Sequence, residues 1–369
     1  MKTVSDAFIL PLAKESLKSL QNFPPPISND PPGEGVTTRF KIAIIGPSEA
    51  FVQELVTVLS SFEWNFRNVA VSVVGTFRDQ NLKSLIPIIK EAERSKTIPI
   101  VIGFDDQTLK SVFDGFQFLE RLFSLCCVQD IAGTTDDLTP NLLELRDPYF
   151  YHMSLLGSQS HLMSQSFSET ANGLDQLRLG KLRTDISIAE PQIRNADILS
   201  MDLNALKYGD APMQSRPSSV GLLSEEACQL TYYAGRSERN KLFCLYGIDT
   251  DHKVGTMEMG TLAALIWYYI HGLEFRRDTY PPDLSGMTLF TVEPIDEGTQ
   301  FLFYKDEAQQ KWWLKVPVSA GNTLATIFPL IACGYSDYAT LVNEQTPTDY
   351  IISMLELYHS FDAVNKSSN

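Results

Sequence analysis

The chain has 369 residues, 44% of them hydrophobic, enough for the core of one large α/β domain or of two ordinary ones. Its formal net charge of −15 excludes a nucleic-acid backbone or an anionic membrane surface as partner, because both are met by clustered Lys and Arg. Five cysteines, an odd number without a C-x-x-C pair, exclude a disulfide framework and read as buried reduced thiols.

Residues 1–38 hold a short apolar island cut by Pro11 and then FPPPISNDPPGEG, whose prolines lock φ and remove donors, so the segment reads as an N-terminal arm. No small-residue cleavage site follows a basic start, which places the protein in the cytoplasm. The body opens at RFKIAIIG. Apolar, largely β-branched runs at 41–45, 69–74, 98–102, 122–128, 196–201 and 242–246 predict strands. Segments 49–59, 79–94 and 106–119 repeat apolar residues near i, i+3, i+4 and i+7 and predict intervening helices. This βαβα order predicts a three-layer α/β/α sandwich on a mainly parallel sheet over residues 39–282, with ligand chemistry at the carboxyl ends of the strands.

The apolar run 262–270 within MGTLAALIWYYIHGL is about half the roughly 20 residues that cross a bilayer, so it predicts a buried helix and no membrane insertion. Residues 283–369 change texture. SGMTLFTVE, TQFLFYK and KWWLKVP predict a small β hairpin or meander appended to the same domain, and TPTDYIISMLELYHSF predicts a final helix behind a capping Thr. Trp312 and Trp313 should face opposite ways, the outward ring being a candidate contact for a protein partner.

Several predicted strand ends carry acids or amides: IVIGFDDQT, CCVQDIAGTTDD and SMDLNAL. Asp202 and Asn204 alternate as a cation-binding D-x-D pair would, with a neutral amide as the second group. The bland readings are helix capping by Asp105 and Asp106, and turn formation by Asp202 and Asn204. Asp249, Asp251 and His252 read as a polar loop rather than a metal site, and His152 and His161 flank a LLGSQ turn without any nucleophile motif. No phosphate-binding glycine fingerprint is present.

IPIVIGFDDQT, the long segment RLGKLRTDISIAEPQIRNADILSMDLNALKYGDAP, GLLSEEACQLTYYAGRS, and TLAALIWYYIHGL with FYK and KWWLKVP carry a further signal. Through them the chain resembles the ureohydrolases, the family of arginase, agmatinase and formimidoylglutamase, and most closely an arginase-like bacterial branch. The resemblance implies two manganese ions, held by His and Asp, that activate a bridging hydroxide. It also maps the family's motifs onto this chain. The G-G-D-H motif stands here as Gly103, Phe104, Asp105 and Asp106, so Asp106 replaces a histidine ligand. The D-A-H-x-D ligands fall at Gln129, Ile131 and Gly133, in a register open by a residue or two, and no shift supplies a histidine because none precedes His152. The D-x-D pair stands as Asp202 and Asn204, and the glutamate that in arginases holds the substrate's cation falls at Gly247.

Asp106, Gln129, Ile131, Gly133, Asp202 and Asn204 are thus vestigial metal positions, and Gly247 a vestigial substrate position. They offer too few deprotonated donors for two manganese ions. The leading expectation is a non-catalytic binding or scaffold protein without a cofactor. The alternative is a hydrolase of C–N bonds in linear amidines that holds one Mn or Mg weakly through Asp106, Asp202, Asn204 and loop acids. A third expectation is a structural member of a larger assembly, with a protein partner or a second copy docked on the arm or the appended strands.

Overall fold

The computed structural model describes residues 9–10, 39–77, 85–131, 148–164, 174–249, 256–294, 300–317 and 322–367. Its strands are β1 (Ile9–Leu10), β2 (Phe40–Gly46), β3 (Val69–Phe77), β4 (Thr97–Ile102), β5 (Phe123–Val128), β6 (Phe150–Ser158), β7 (Asp175–Arg178), β8 (Ile198–Asp202), β9 (Leu242–Tyr246), β10 (Thr288–Val292), β11 (Phe301–Asp306), β12 (Lys311–Lys315) and β13 (Leu330–Cys333). The α-helices are α1 (Glu49–Leu59), α2 (Leu85–Ser95), α3 (Gln107–Gln117), α4 (Leu179–Thr184), α5 (Glu190–Arg194), α6 (Ser224–Arg236), α7 (Thr256–Glu274), α8 (Thr323–Ile327), α9 (Tyr335–Glu344) and α10 (Asp349–Ser367).

The main sheet runs β1-β3-β2-β4-β9-β8-β5-β6-β7. Its eight strands from β3 to β7 are all parallel, and β1 adds antiparallel to the edge beside Phe77 and Thr76. Alternation along the strands feeds two cores, as expected of a sheet covered on both faces. Ile100, Ile102, Cys126, Val128, Leu199 and Phe243 face one core with α1, α6 and α7. Val101, Leu125, Cys127, Ile198, Leu242 and Cys244 face the other with α2 and α3. This is the expected three-layer sandwich.

The buried helix of the sequence reading is α7. It lies so close to α6 that a Cβ added at Gly235 would stand 2.0 Å from the Tyr269 carbonyl oxygen. Among the described residues no helix is long and apolar enough to cross a membrane. All five cysteines are free and buried.

Four strands, β1, β6, β7 and β13, escaped the sequence reading. The supposed turn between His152 and His161 is the second half of β6, where buried His152 faces Asp175 on β7, Nε2 to Oδ2 2.8 Å. Polar side chains satisfied across a strand pair hide the apolar pattern of a buried strand.

β10 to β13 form a four-stranded antiparallel sheet with its own core against α9 and α10. Neither tryptophan points outward, contrary to expectation. Trp312 is 6% exposed and stacks on Tyr338, and Trp313 is 1% exposed beneath the Arg194 guanidinium, 4.1 Å from its ring. The second face is covered because the sheet docks on the sandwich, where Arg194 donates to the carbonyls of Trp312 and Cys333 at 2.9 and 3.0 Å.

Candidate functional site

The sheet order places β9 between β4 and β8, with β5 beyond β8. The three strand-end segments singled out in the sequence and the end of β9 at Gly247 therefore converge on one edge, where the chain reverses its direction of winding. A cavity of about 250 Å³ opens there, lined among others by Asp106, Gln129, Ile131, Asp202, Asn204 and Gly247. Six of the seven positions named from sequence thus meet. The seventh, Gly133, lies outside the described residues, as do Asp251 and His252.

β8 ends at Asp202, and the chain turns at once into a single 3₁₀ turn, Leu203–Ala205. Asp202 Oδ1 accepts from the Asn204 backbone N–H at 2.9 Å and from Asn204 Nδ2 at 2.7 Å. This is the Asx turn that the residue types favour. At the end of β4, Asp105 Oδ1 accepts from the Gln107 N–H at 3.1 Å, whereas Asp106 stands at the N-cap of α3 without a side-chain capping bond. Capping therefore falls to one acid of the pair. Gln129 donates from Nε2 to the Ile131 carbonyl at 2.8 Å.

Gly247 carries φ of +85°, and a Cβ there would stand 2.1 Å from Asp202 Oδ1 and 2.8 Å from Asn204 Nδ2. The Asp202–Asn204 turn occupies the space that a side chain at this position would need. Backbone bonds from Gly247 to Phe104 and from Ser215 to Gly247, both 2.9 Å, lace the β4, β9 and post-β8 loops together.

Two residues that the sequence reading passed over dominate the electrostatics. Asp130 is fully buried, and Arg216 approaches it end-on, Nη1 3.2 Å from Oδ2 and Nη2 2.8 Å from Oδ1. Arg216 Nη2 also lies 3.9 Å from Asp202 Oδ2. The Arg216 backbone N–H donates to Asn204 Oδ1 at 2.7 Å, and Asn204 Nδ2 reaches Ser215 Oγ at 3.1 Å, which fixes the loop. Burial, and then the charge of Asp130, push the Asp202 carboxyl up to about 7 against the opposing pull of the Asn204 bonds and of Arg216. The signal for Asp130 was available, since it sits among the acids at a strand end. Arg216 lies in MQSRPSS, a loop with no pattern to mark it.

Among the described residues no group of three or more His, Cys, Asp or Glu is arranged to hold a metal ion. The carboxylates that converge are bridged by a guanidinium, and one oxygen of Asp202 is already engaged by two N–H donors.

No protein-family model matches the sequence, and comparison with curated proteins finds no match. Solved structures do match. A Trypanosoma cruzi formiminoglutamase solved with Mn²⁺ superposes with a TM-score of 0.54 at 15% identity, over 66% of this chain and 96% of that one. The agmatine ureohydrolase of Thermoplasma volcanium does so with a TM-score of 0.51 at 13% identity, over 64% and 91%. The chain has the ureohydrolase, or arginase-like, fold, and at these identities the likeness extends to the fold alone.

Proposed function

We propose that this chain is a non-catalytic protein on the ureohydrolase fold, in which a guanidinium has taken over the charge-balancing role of metal ions. The carrying observation is Arg216, held between buried Asp130 and Asp202 at the converging strand ends. An internal cation offsets the carboxylates without ligand exchange, and it cannot activate water as a Lewis acid does. Two manganese ions do not fit this donor set, because imidazole ligands are missing among the lining residues and Asp202 Oδ1 is spent on Asn204. The protein works as a binding or scaffold protein of the cytoplasm, with a protein partner or a second copy of itself.

The test is elemental analysis after dialysis against manganese, joined to assays for urea, formamide or ammonia from arginine, agmatine and formiminoglutamate. Much less than one ion per chain and no turnover are expected. Two bound ions, or turnover abolished by Asp202→Ala, would sink the proposal. The second reading, a single weakly held Mn or Mg in an amidine hydrolase, draws on Asp105, Asp106 and Asp202 lining one cavity. Turnover restored by magnesium or manganese at one ion per chain would favour it.

A further inference from the structure

We propose that the open side of α7 is the interface between two copies of this chain, packed antiparallel about a twofold axis. This names one of the partners left open above without drawing on the chemistry at Asp202, so this test and the manganese test fail separately.

α7 carries apolar residues around most of its circumference, the pattern of a helix that is covered on every side. Leu262, Ile266, Tyr269, Ile270 and Leu273 are buried against the sandwich. The opposite side stays open. Gly260, Ala264, Tyr268 and His271, then Phe275 one residue past the helix, follow one another at intervals of three or four residues, with Trp267 alongside. Tyr268 is 40% and Phe275 51% exposed.

Trp267, Phe275 and Tyr232 of α6 surround the His271 imidazole, with ring centroids 4.9, 5.3 and 5.4 Å away, which makes one aromatic patch. Burial lowers the His271 pKa below its usual value, so the ring is uncharged at neutral pH. The acid at this end of α7, Glu274, is engaged by the backbone N–H groups of Arg67 and Asn68 at 3.1 and 2.8 Å. An aromatic surface without free charge, in a chain of net charge −15, has the composition of an interface centre.

Two features select a second copy of the chain. The first is the distribution of bulk. The amino half of the open side has Gly260 and Ala264, and the carboxyl half has His271 and Phe275. A Cβ added at Gly260 would meet nothing within 4 Å, so a recess stands there. A twofold axis crossing α7 between Trp267 and Tyr268 sets Phe275 over the partner's Gly260 and His271 over the partner's Ala264. Bulk meets recess on both sides of the axis, the self-complementarity that an isologous contact requires.

The second feature is charge. α6 runs beside α7 in the same direction, since Ser224 and Thr261 both bond to Asp210 near the amino ends and Gly235 lies against Gly272 near the other. Glu225 stands in the first turn of α6 and Arg236 in its last, about three turns apart on one side. Their hydrogen bonds go to neutral groups, the Ser224 hydroxyl and the Gln309 carbonyl. The same rotation carries Arg236 towards the partner's Glu225, and Glu225 towards the partner's Arg236.

Sedimentation of the full chain over a range of concentrations tests this. A monomer–dimer equilibrium is expected, and Phe275→Glu should weaken it about tenfold or more. Gly260→Phe fills the recess and should weaken it likewise. Because it replaces a helical glycine whose Cβ has open space, Gly260→Phe should unfold no earlier than the wild type, and it reports the interface even if Phe275→Glu folds poorly. Glu225→Arg should also weaken the dimer, and Arg236→Glu added to it should restore much of the loss. A monomer at every concentration, with this side of α7 left to the chain's own arm or to another protein, overturns the proposal. So do a dimer that either Phe275→Glu or Gly260→Phe leaves undiminished, and a charge-reversed pair no stronger than Glu225→Arg alone.

Discussion

Arg216 presents both terminal guanidinium nitrogens to the carboxylate of Asp130, at 3.2 and 2.8 Å, and Asp130 is fully buried while the Arg216 side chain is 40% exposed. A buried carboxylate whose counterion reaches in from solvent depends on that counterion, because its own desolvation has been incurred and is offset nowhere else as directly. Arg216→Ala should therefore destabilise the fold by about 2 kcal/mol, below the figure for a fully buried pair because water reaches the guanidinium. Arg216→Lys should recover only part of the loss, since an ammonium cannot make the end-on, two-point contact. Urea unfolding of the three proteins measures both effects, and a change under about 0.5 kcal/mol for Arg216→Ala would leave the pair without energetic weight.

Asp202 gives a pH dependence of definite sign. Its folded-state pKa is raised to about 7 by burial and by Asp130, against an ordinary aspartate near 3.9 in the unfolded chain. Between those values the native state binds more protons than the unfolded one, so this residue's contribution is fully present below about pH 4 and is lost as pH rises through about 7. The expected loss is on the order of 4 kcal/mol. Asp202→Asn keeps an acceptor for the Asn204 N–H and removes the ionisation, so its stability curve should be flatter over that window. Carbon-13 NMR of the Asp202 carboxyl should show a midpoint near 7, and a midpoint near 4 would contradict the environment described here.

Gly247 tests whether the substrate side of a ureohydrolase site is closed by geometry. With φ at +85° and Asp202 Oδ1 only 2.1 Å from a would-be Cβ, Gly247→Ala should cost about 2–4 kcal/mol, and Gly247→Glu at least as much. Thermal unfolding of the two variants measures this. A Gly247→Glu protein as stable as the wild type would mean that the turn yields easily.

Trp313 ties the appended sheet to the sandwich. Truncation of this 1% exposed ring beneath Arg194 should destabilise by about 3–5 kcal/mol, the usual cost of a large aromatic core deletion. Trp312→Ala should likewise appear as lost stability rather than as a selective loss of partner binding. Denaturant melts alongside a partner or self-association assay separate the two outcomes.

Much of the architecture was legible in the chain itself, for a physical reason. Strands buried on both faces must be apolar throughout, so 242–246 and 98–102 announced themselves as continuous runs, and α1 showed its full length through its apolar spacing. β6 and β7 did not, because His152 and Asp175 cancel one another's polarity only once the strands are paired. The convergence of Asp106, Gln129, Asp202, Asn204 and Gly247 was foreseeable from strand ends together with a family resemblance. What occupies their midst was not. Arg216 comes from a loop 86 residues away from Asp130, and no local propensity records such a pairing. The sequence by itself determined which elements form and which ligand types are missing, since both are properties of short segments. Only the tertiary structure decided that a guanidinium bridges the carboxylates and that both tryptophans are covered, because burial and charge neutralisation depend on what distant segments bring together.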